Sequence, residues 1–193
     1  LHPKRSSGNI LLDGKKLNIT SPAAAIAAGM ALVPEDRKTE GLLLEHTVRS
    51  NMSLTVLDTL EKFGIYIDTK PEKELSKKFI SELSIKTASD TTLAKNLSGG
   101  NQQKIVLAKW LATNPKILLL DEPTRGIDVN AKAEIYALIK SLAVQGLSVV
   151  LVSSEIPEIM AVSDRVLVMA NGKLTANMPI SEANESLLLK KAL

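Results

Sequence analysis

Two adjacent carboxylates close an apolar run. Residues Ile117–Thr124 read ILLLDEPT, four aliphatic side chains followed by Asp121 and Glu122. Side chains alternate along a strand, so at its tip the two carboxylates point in different directions. One can serve a metal ion while the other faces a reacting water. That division suits magnesium-assisted phosphoryl transfer, because Mg²⁺ is a hard cation that takes oxygen ligands and keeps much of its water. The competing reading is plain: an Asp-Glu pair after a buried strand also caps helices.

A second group lies about twenty residues earlier, in LSGGNQQK (Leu97–Lys104). Ser98 is a natural helix N-cap. Gly99 and Gly100 let backbone N–H groups approach a ligand closely, and the helix behind them presents its positive end. The result would be an anion cradle with no charged side chain in it. Standing alone, the stretch reads equally as a capped helix on a loop.

Taken in order, LSGGNQQK, ILLLDEPT and RGIDV resemble the signature motif, Walker B strand and D-loop of ATP-binding cassette (ABC) ATPases. The likeness runs from the hairpin GNILLDGKKL to the strand DRVLVMANGKL. The variants VPEDRK, DEPTRGIDV and VSSEIPE are most similar to the second cassette of tandem ATPases that serve ribose-, galactose- and xylose-type importers.

That resemblance implies roles residue by residue. Glu122 would be the general base and Asp121 the Mg²⁺ partner through water. Ser98, Gly99, Gly100, Gln102 and Asp128 would contact nucleotide, with Arg125 and Asp128 in the loop that crosses between cassettes. The ATP closed over by Ser98–Gly100 would be held by a second cassette docked head to tail. Further implied partners are transmembrane permease subunits, met by the helical segment, and indirectly a periplasmic or extracellular solute-binding protein. The implied location is peripheral, on the cytoplasmic face of the plasma membrane.

Three departures stand out. No G-x-x-x-x-G-K-[ST] occurs in the chain; the nearest approach, Gly8–Lys16, has the wrong spacing and lacks the hydroxyl residue. In the family that Walker A loop precedes the hairpin, so the chain is expected to be truncated at its N-terminus. Glu35 stands at the Q-loop position, where Gln is usual. Ser154 stands where a switch His is usual, and His46 and His2 read as surface residues rather than substitutes. The cassette's own catalytic side therefore reads as degenerate, and the signature as intact.

The elements that must hold these residues read as α/β. Asp13-Gly14 signals a hairpin, Pro22 opens an alanine-rich helix ended by Gly29, and Met30–Val33 is a short strand. From Thr47 to about Leu60 the apolar spacing predicts one helix, and Pro71–Leu83 another. The runs ILLL and VVLV lack polar alternation, which predicts parallel strands buried on both faces. Asn171-Gly172 predicts a closing hairpin, and the last residues an amphipathic helix. The expected whole is a P-loop-NTPase-like core with a mostly parallel sheet, an N-terminal antiparallel hairpin and a helical subdomain. Residues 1–193 form one cassette, with about 41–95 plus 98–113 as the helical subdomain, free of strong strands, and about 116–180 as the Walker B core. The strand preceding Walker A is expected beside the Walker B strand, so its loss would leave an apolar edge open to a homodimer or strand exchange.

Composition narrows the alternatives. The 193 residues carry 24 basic and 21 acidic side chains, too balanced for strong duplex binding, and five aromatics (one Trp, two Tyr, two Phe) give no stacking surface for nucleic acid. Absence of Cys excludes disulfides and thiolate metal sites. No apolar run approaches the roughly 18–20 residues needed to cross a bilayer. Trp110 reads as packing, and Lys104 and Lys109 as a solvated helix face. The functional expectation is an ATP-binding and ATP-hydrolysing piece of a sugar importer. The alternative is an interaction module that never turns over ATP alone.

Overall fold

The computed structural model describes residues 7–62 and 66–193. It opens with the expected hairpin: β1 (Ile10–Leu12) pairs antiparallel with β2 (Lys15–Leu17). Asp13 and Gly14 both take positive φ, the turn whose twist matches the flanking strands. Helix α1 (Pro22–Ala27) is capped by Ser21 Oγ, which accepts from Ala24 N–H at 3.1 Å. Gly29, at φ +85°, ends it and directs the chain into β3 (Met30–Val33).

A wide helical turn (Arg37–Gly41) and a long excursion precede the next core strand. The excursion comprises α2 (Val48–Ser53), α3 (Leu57–Leu60), a two-residue hairpin of β4 (Glu61–Lys62) with β5 (Tyr66–Ile67), and α4 (Thr69–Glu82). One expectation fails here. The single helix from Thr47 to Leu60 is broken in the middle because hydroxyls there bind elsewhere. Thr55 Oγ1 donates to the Lys109 carbonyl at 2.6 Å and Ser53 Oγ to Glu72 Oε1 at 2.7 Å. The segment also holds a short strand pair that its sequence did not announce.

Helix α5 (Gly99–Leu111) leads to β6 (Ile117–Asp121), α6 (Val129–Val144) leads to β7 (Ser148–Val152), and α7 (Ile156–Val162) follows. The three core strands form a parallel sheet in the order β3-β6-β7. One face, with Ala31, Val33, Leu118 and Leu120, is buried in a core shared with Ile105, Val106, Ile135 and Ile139. The other face is not: Leu32, Val150 and Val152 are 49%, 51% and 56% exposed. The expectation of burial on both faces therefore holds for one only. The open edge is also displaced from its expected place. β6 has neighbours on both sides, and among the described strands the unpaired outer edges of this sheet are those of β3 and β7.

The chain ends in β8 (Arg165–Ala170) paired antiparallel with β9 (Lys173–Pro179) through Asn171-Gly172, then α8 (Glu185–Ala192). Val166, Val168 and Leu188 make a second, smaller core. Within the described residues no helix is long and apolar enough to cross a membrane.

One ion pair stabilises the excursion. Arg49 holds Asp90 Oδ2 through Nε at 2.8 Å and Nη2 at 2.7 Å, and Ser76 Oγ adds a bond at 3.0 Å. The Arg49 hydrogen bond holds the Asp90 carboxyl below its ordinary range, against burial, which pushes the other way. A depressed carboxyl stabilises the fold above its unfolded pKa, about 3.9, and loses that effect as pH falls through the folded value. Asp90→Asn should therefore cost about 2 kcal/mol in urea denaturation at pH 7. The gap from wild type should close as pH is lowered below about 4.

Candidate functional site

At the tip of β6 the backbone turns sharply. Glu122 takes φ +44°, a left-handed conformation that a long side chain adopts only at a cost of order 1–3 kcal/mol. Its N–H still donates to Val152 O at 2.9 Å, so β6 and β7 stay paired to the turn. The bend brings the Glu122 carboxylate to the end of β7, where Oε1 accepts the Ser154 N–H at 2.7 Å. Ser154 thus meets Glu122 through its backbone. Asp121 remains in the strand, paired in register with Val152, and half-buried.

The following loop is anchored from behind. Pro123 and Thr124 are buried, and Thr124 Oγ1 donates to Glu158 Oε1 at 2.9 Å, with both residues 1% exposed. Tyr136 joins this group through Thr124; burial first, then the Glu158 charge, raises its phenol pKa. Asp128 caps α6, its Oδ1 accepting from Ala131 N–H at 2.9 Å. Glu35 forms an ion pair with Arg125, so its carboxylate is engaged with the turn after β6 rather than free for water or metal.

The first turn of α5 packs against that same loop. Ser98 is the N-cap residue, yet its side chain makes no capping bond to its own helix; Oγ accepts from Asn101 Nδ2 at 2.9 Å. Gly99 is half-buried, and a Cβ there would lie 2.8 Å from Arg37 Nη2 and 3.3 Å from Ile127. A Cβ on Gly100 would lie 2.6 Å from the Ala131 Cβ, an impossible distance. Gly100 is therefore required by the close packing of α5 on α6, which buries it, while Gly99 leaves room for Arg37 and the 126–127 turn. Gln102 points inward too: it is 5% exposed and its Nε2 donates to Ala94 O at 3.1 Å. The structure brings Ser98, Gly99 and the 125–128 turn together, and joins Glu122 to Ser154. It leaves Gln102 inside the helical packing.

Lys104 and Lys109 correct a further expectation. Neither lies on a solvated face; they are 4% and 5% exposed. Lys104 Nζ reaches Glu134 Oε2 at 2.7 Å and Ser84 O at 3.1 Å, and that bond is the main reason the Glu134 carboxyl titrates low. Lys109 Nζ donates to Gly41 O at 2.5 Å, and its burial lowers its pKa. His46 is exposed as expected, Trp110 packs against the main core, and His2 lies outside the described residues. Sequence reasoning passed over Arg37 and Glu158. The only signals were an Arg in VPEDRK and a Glu among apolar neighbours in EIPEIM.

Comparison with known proteins defines the class. The ABC transporter family matches residues 1–125, so the chain belongs to that family. It is 51% identical over 193 residues to the ribose import ATP-binding protein RbsA of Rhodopirellula baltica, covering all of this chain and 38% of that protein. It is 49% identical over 188 residues to a putative ribose/galactose/methyl galactoside import ATP-binding protein of Rhizobium etli, covering 96% of this chain and 35% of that one. For the xylose import ATP-binding protein XylG of Thermoanaerobacter pseudethanolicus the identity is 47%, with 96% and 36% covered. The chain thus spans little more than a third of the length of these relatives. Among solved structures, the ATP-binding cassette MJ1267 of an ABC transporter superposes with a TM-score of 0.80 at 19% identity, over 97% of this chain and 78% of that one. A nucleotide-free cassette gives 0.79 at 21%, over 98% and 74%. The fold is that of an ABC ATPase cassette, with a parallel core sheet and antiparallel hairpins.

The Gly100–Ala131 contact can be tested by stability. Gly100→Ala should destabilise the chain by about 1–3 kcal/mol through overpacking. Adding Ala131→Gly should recover part of that loss in urea denaturation, despite the helix-propensity cost of the second change.

Proposed function

We propose that the chain is part of the ATP-binding subunit of an importer for ribose, xylose or a related sugar. Its LSGGNQQK segment would close over ATP bound by a partner cassette. The observation that carries this reading is the N-terminus of α5. Ser98 leaves its own helix uncapped, and the half-buried Gly99 beside it belongs to a first turn whose backbone donors suit a phosphate. Asp128 and Arg125 sit on the neighbouring turn, and their exposure supports a role toward the same partner. The named relatives support the sugar, and family membership supports ATP. Asp121 would offer Mg²⁺ a hard oxygen donor and Glu122 would be the base, but both would serve this cassette's own degenerate site and not the ATP closed over by the signature segment.

Other assignments belong to the same proposal. Residues of about 41–95 with 98–113 form the helical part that meets permease subunits, and about 116–180 the Walker B part. A solute-binding protein acts beyond the permease. The chain itself works peripherally, at the cytoplasmic face of the membrane. The bare sheet face at Leu32, Val150 and Val152 and the open β3 and β7 edges support self-association of the isolated chain.

A second reading has its own support: the isolated chain is a signature-donating module without turnover. Both residues that depart from the usual motifs are engaged internally, Glu35 with Arg125 and Ser154 with Glu122. The sequence holds no phosphate-binding G-x-x-x-x-G-K-[ST] loop. Calorimetric titration of the purified chain with Mg-ATP to millimolar concentration should show no binding heat. One-site binding would mean that phosphate contacts lie within the chain itself and that the signature need not act in trans.

A further inference from the structure

The segment after β3 reaches across the molecule through Arg37. Its Nη1 donates to Arg125 O at 2.8 Å and its Nη2 to Gly126 O at 3.2 Å. Nη2 also occupies the space that a side chain on Gly99 would need, 2.8 Å from the position of a Cβ. Arg37 Nε is buried with no partner. A buried donor left unpaired is costly, so this guanidinium is placed by the two carbonyls and the glycine gap and not by the bonding needs of Nε. Two residues earlier, Glu35 takes the Arg125 side chain. Main chain and side chain of Arg125 are therefore gripped by one short segment. At the segment's far end Gly41 O accepts from Lys109 Nζ, and a Cβ on Gly41 would meet Val106 at 3.1 Å. The segment thus lies against both the first and last turns of α5.

We propose that Arg37 is a positioning residue that makes the first turn of α5 and the Arg125–Asp128 turn move as one body. It does so by filling the gap at Gly99 while holding two successive carbonyls of the turn. A lysine cannot substitute, since one ammonium cannot span both carbonyls with a planar fork. One consequence rests on the function proposed above: a phosphate drawn to Ser98 and Gly99 would be felt at Asp128 and at the Glu35–Arg125 pair. The coupling itself requires no nucleotide.

The test is a double-mutant cycle on the purified chain, read from amide NMR signals and hydrogen exchange. Gly99→Ala pushes the flexible end of Arg37 aside, so it should shift the Gly126 and Asp128 amide signals as Arg37→Ala does. The double variant should shift them no further than either single change. Exchange at residues 126–128 should rise about tenfold in all three variants, with the β8–β9 hairpin unchanged. Arg37→Lys should behave like Arg37→Ala; wild-type exchange in Arg37→Lys would show that charge alone suffices and would overturn the proposal. So would unmoved Gly126 and Asp128 signals in Gly99→Ala, or two changes that simply add. If Arg37→Ala unfolds the chain, as circular dichroism would reveal, the same cycle is read with Arg37→Lys. Because no nucleotide is present, failure here leaves the ATP reading standing. Failure of the Mg-ATP prediction likewise leaves this cycle unaffected.

Discussion

The close approach of α5 to α6 at Gly100 and Ala131 sets the geometry on which the candidate site depends. No side chain fits between them, so the first turn of α5 lies directly on the start of α6 and on the loop that leads into it. That contact places Gly99 beside Ile127 and Gly126, in the turn that ends at the capping residue Asp128. A larger residue at position 100 would lift the signature turn away from the D-loop. The glycine pair therefore does two jobs. Gly100 allows the helices to touch, and Gly99 leaves room for Arg37.

Several buried charged groups of the structure are hydrogen-bonded. The buried Glu158 is met by Thr124, Lys104 by Glu134, Lys109 by a carbonyl, and Asp90 by Arg49. Burying a charge is tolerable when it is hydrogen-bonded. These bonds join segments distant in sequence: Lys104 ties α5 to α6, and Lys109 ties α5 to the turn at Gly41. The α5 helix, with a lysine bonded near its middle and another near its end, is held along its length. Glu122 is constrained differently, by a left-handed backbone and by one N–H from the end of β7. The first turn of α5 and the Glu122 carboxylate are thus held by separate supports.

Much of this was legible in the residues. The turns at Asp13-Gly14 and Asn171-Gly172, the apolar strands β3, β6 and β7, and the signature and Walker B motifs all announce themselves locally. What was not legible depends on contacts distant in sequence. Lys104 and Lys109 look like exposed helix lysines until partners 30 and 68 positions away are seen. Arg37 binds carbonyls 88 and 89 positions away, and no local pattern marks that. The break between α2 and α3 follows from Thr55 reaching α5, again a tertiary effect overriding apolar spacing. The strands misled in one respect. VVLV signals burial on both faces, but here its second face, with Val150 and Val152, is open.

The central claim is that this signature segment acts on ATP held by another cassette, while the chain's own carboxylate matters less. The direct measurement is steady-state ATP turnover by the longer polypeptide containing this chain, comparing Ser98→Arg with Glu122→Gln. Bulk and charge at position 98 should lower turnover at least about tenfold, whereas Glu122→Gln should change it by less than about twofold. Loss of turnover in Glu122→Gln with near-normal turnover in Ser98→Arg would contradict the account.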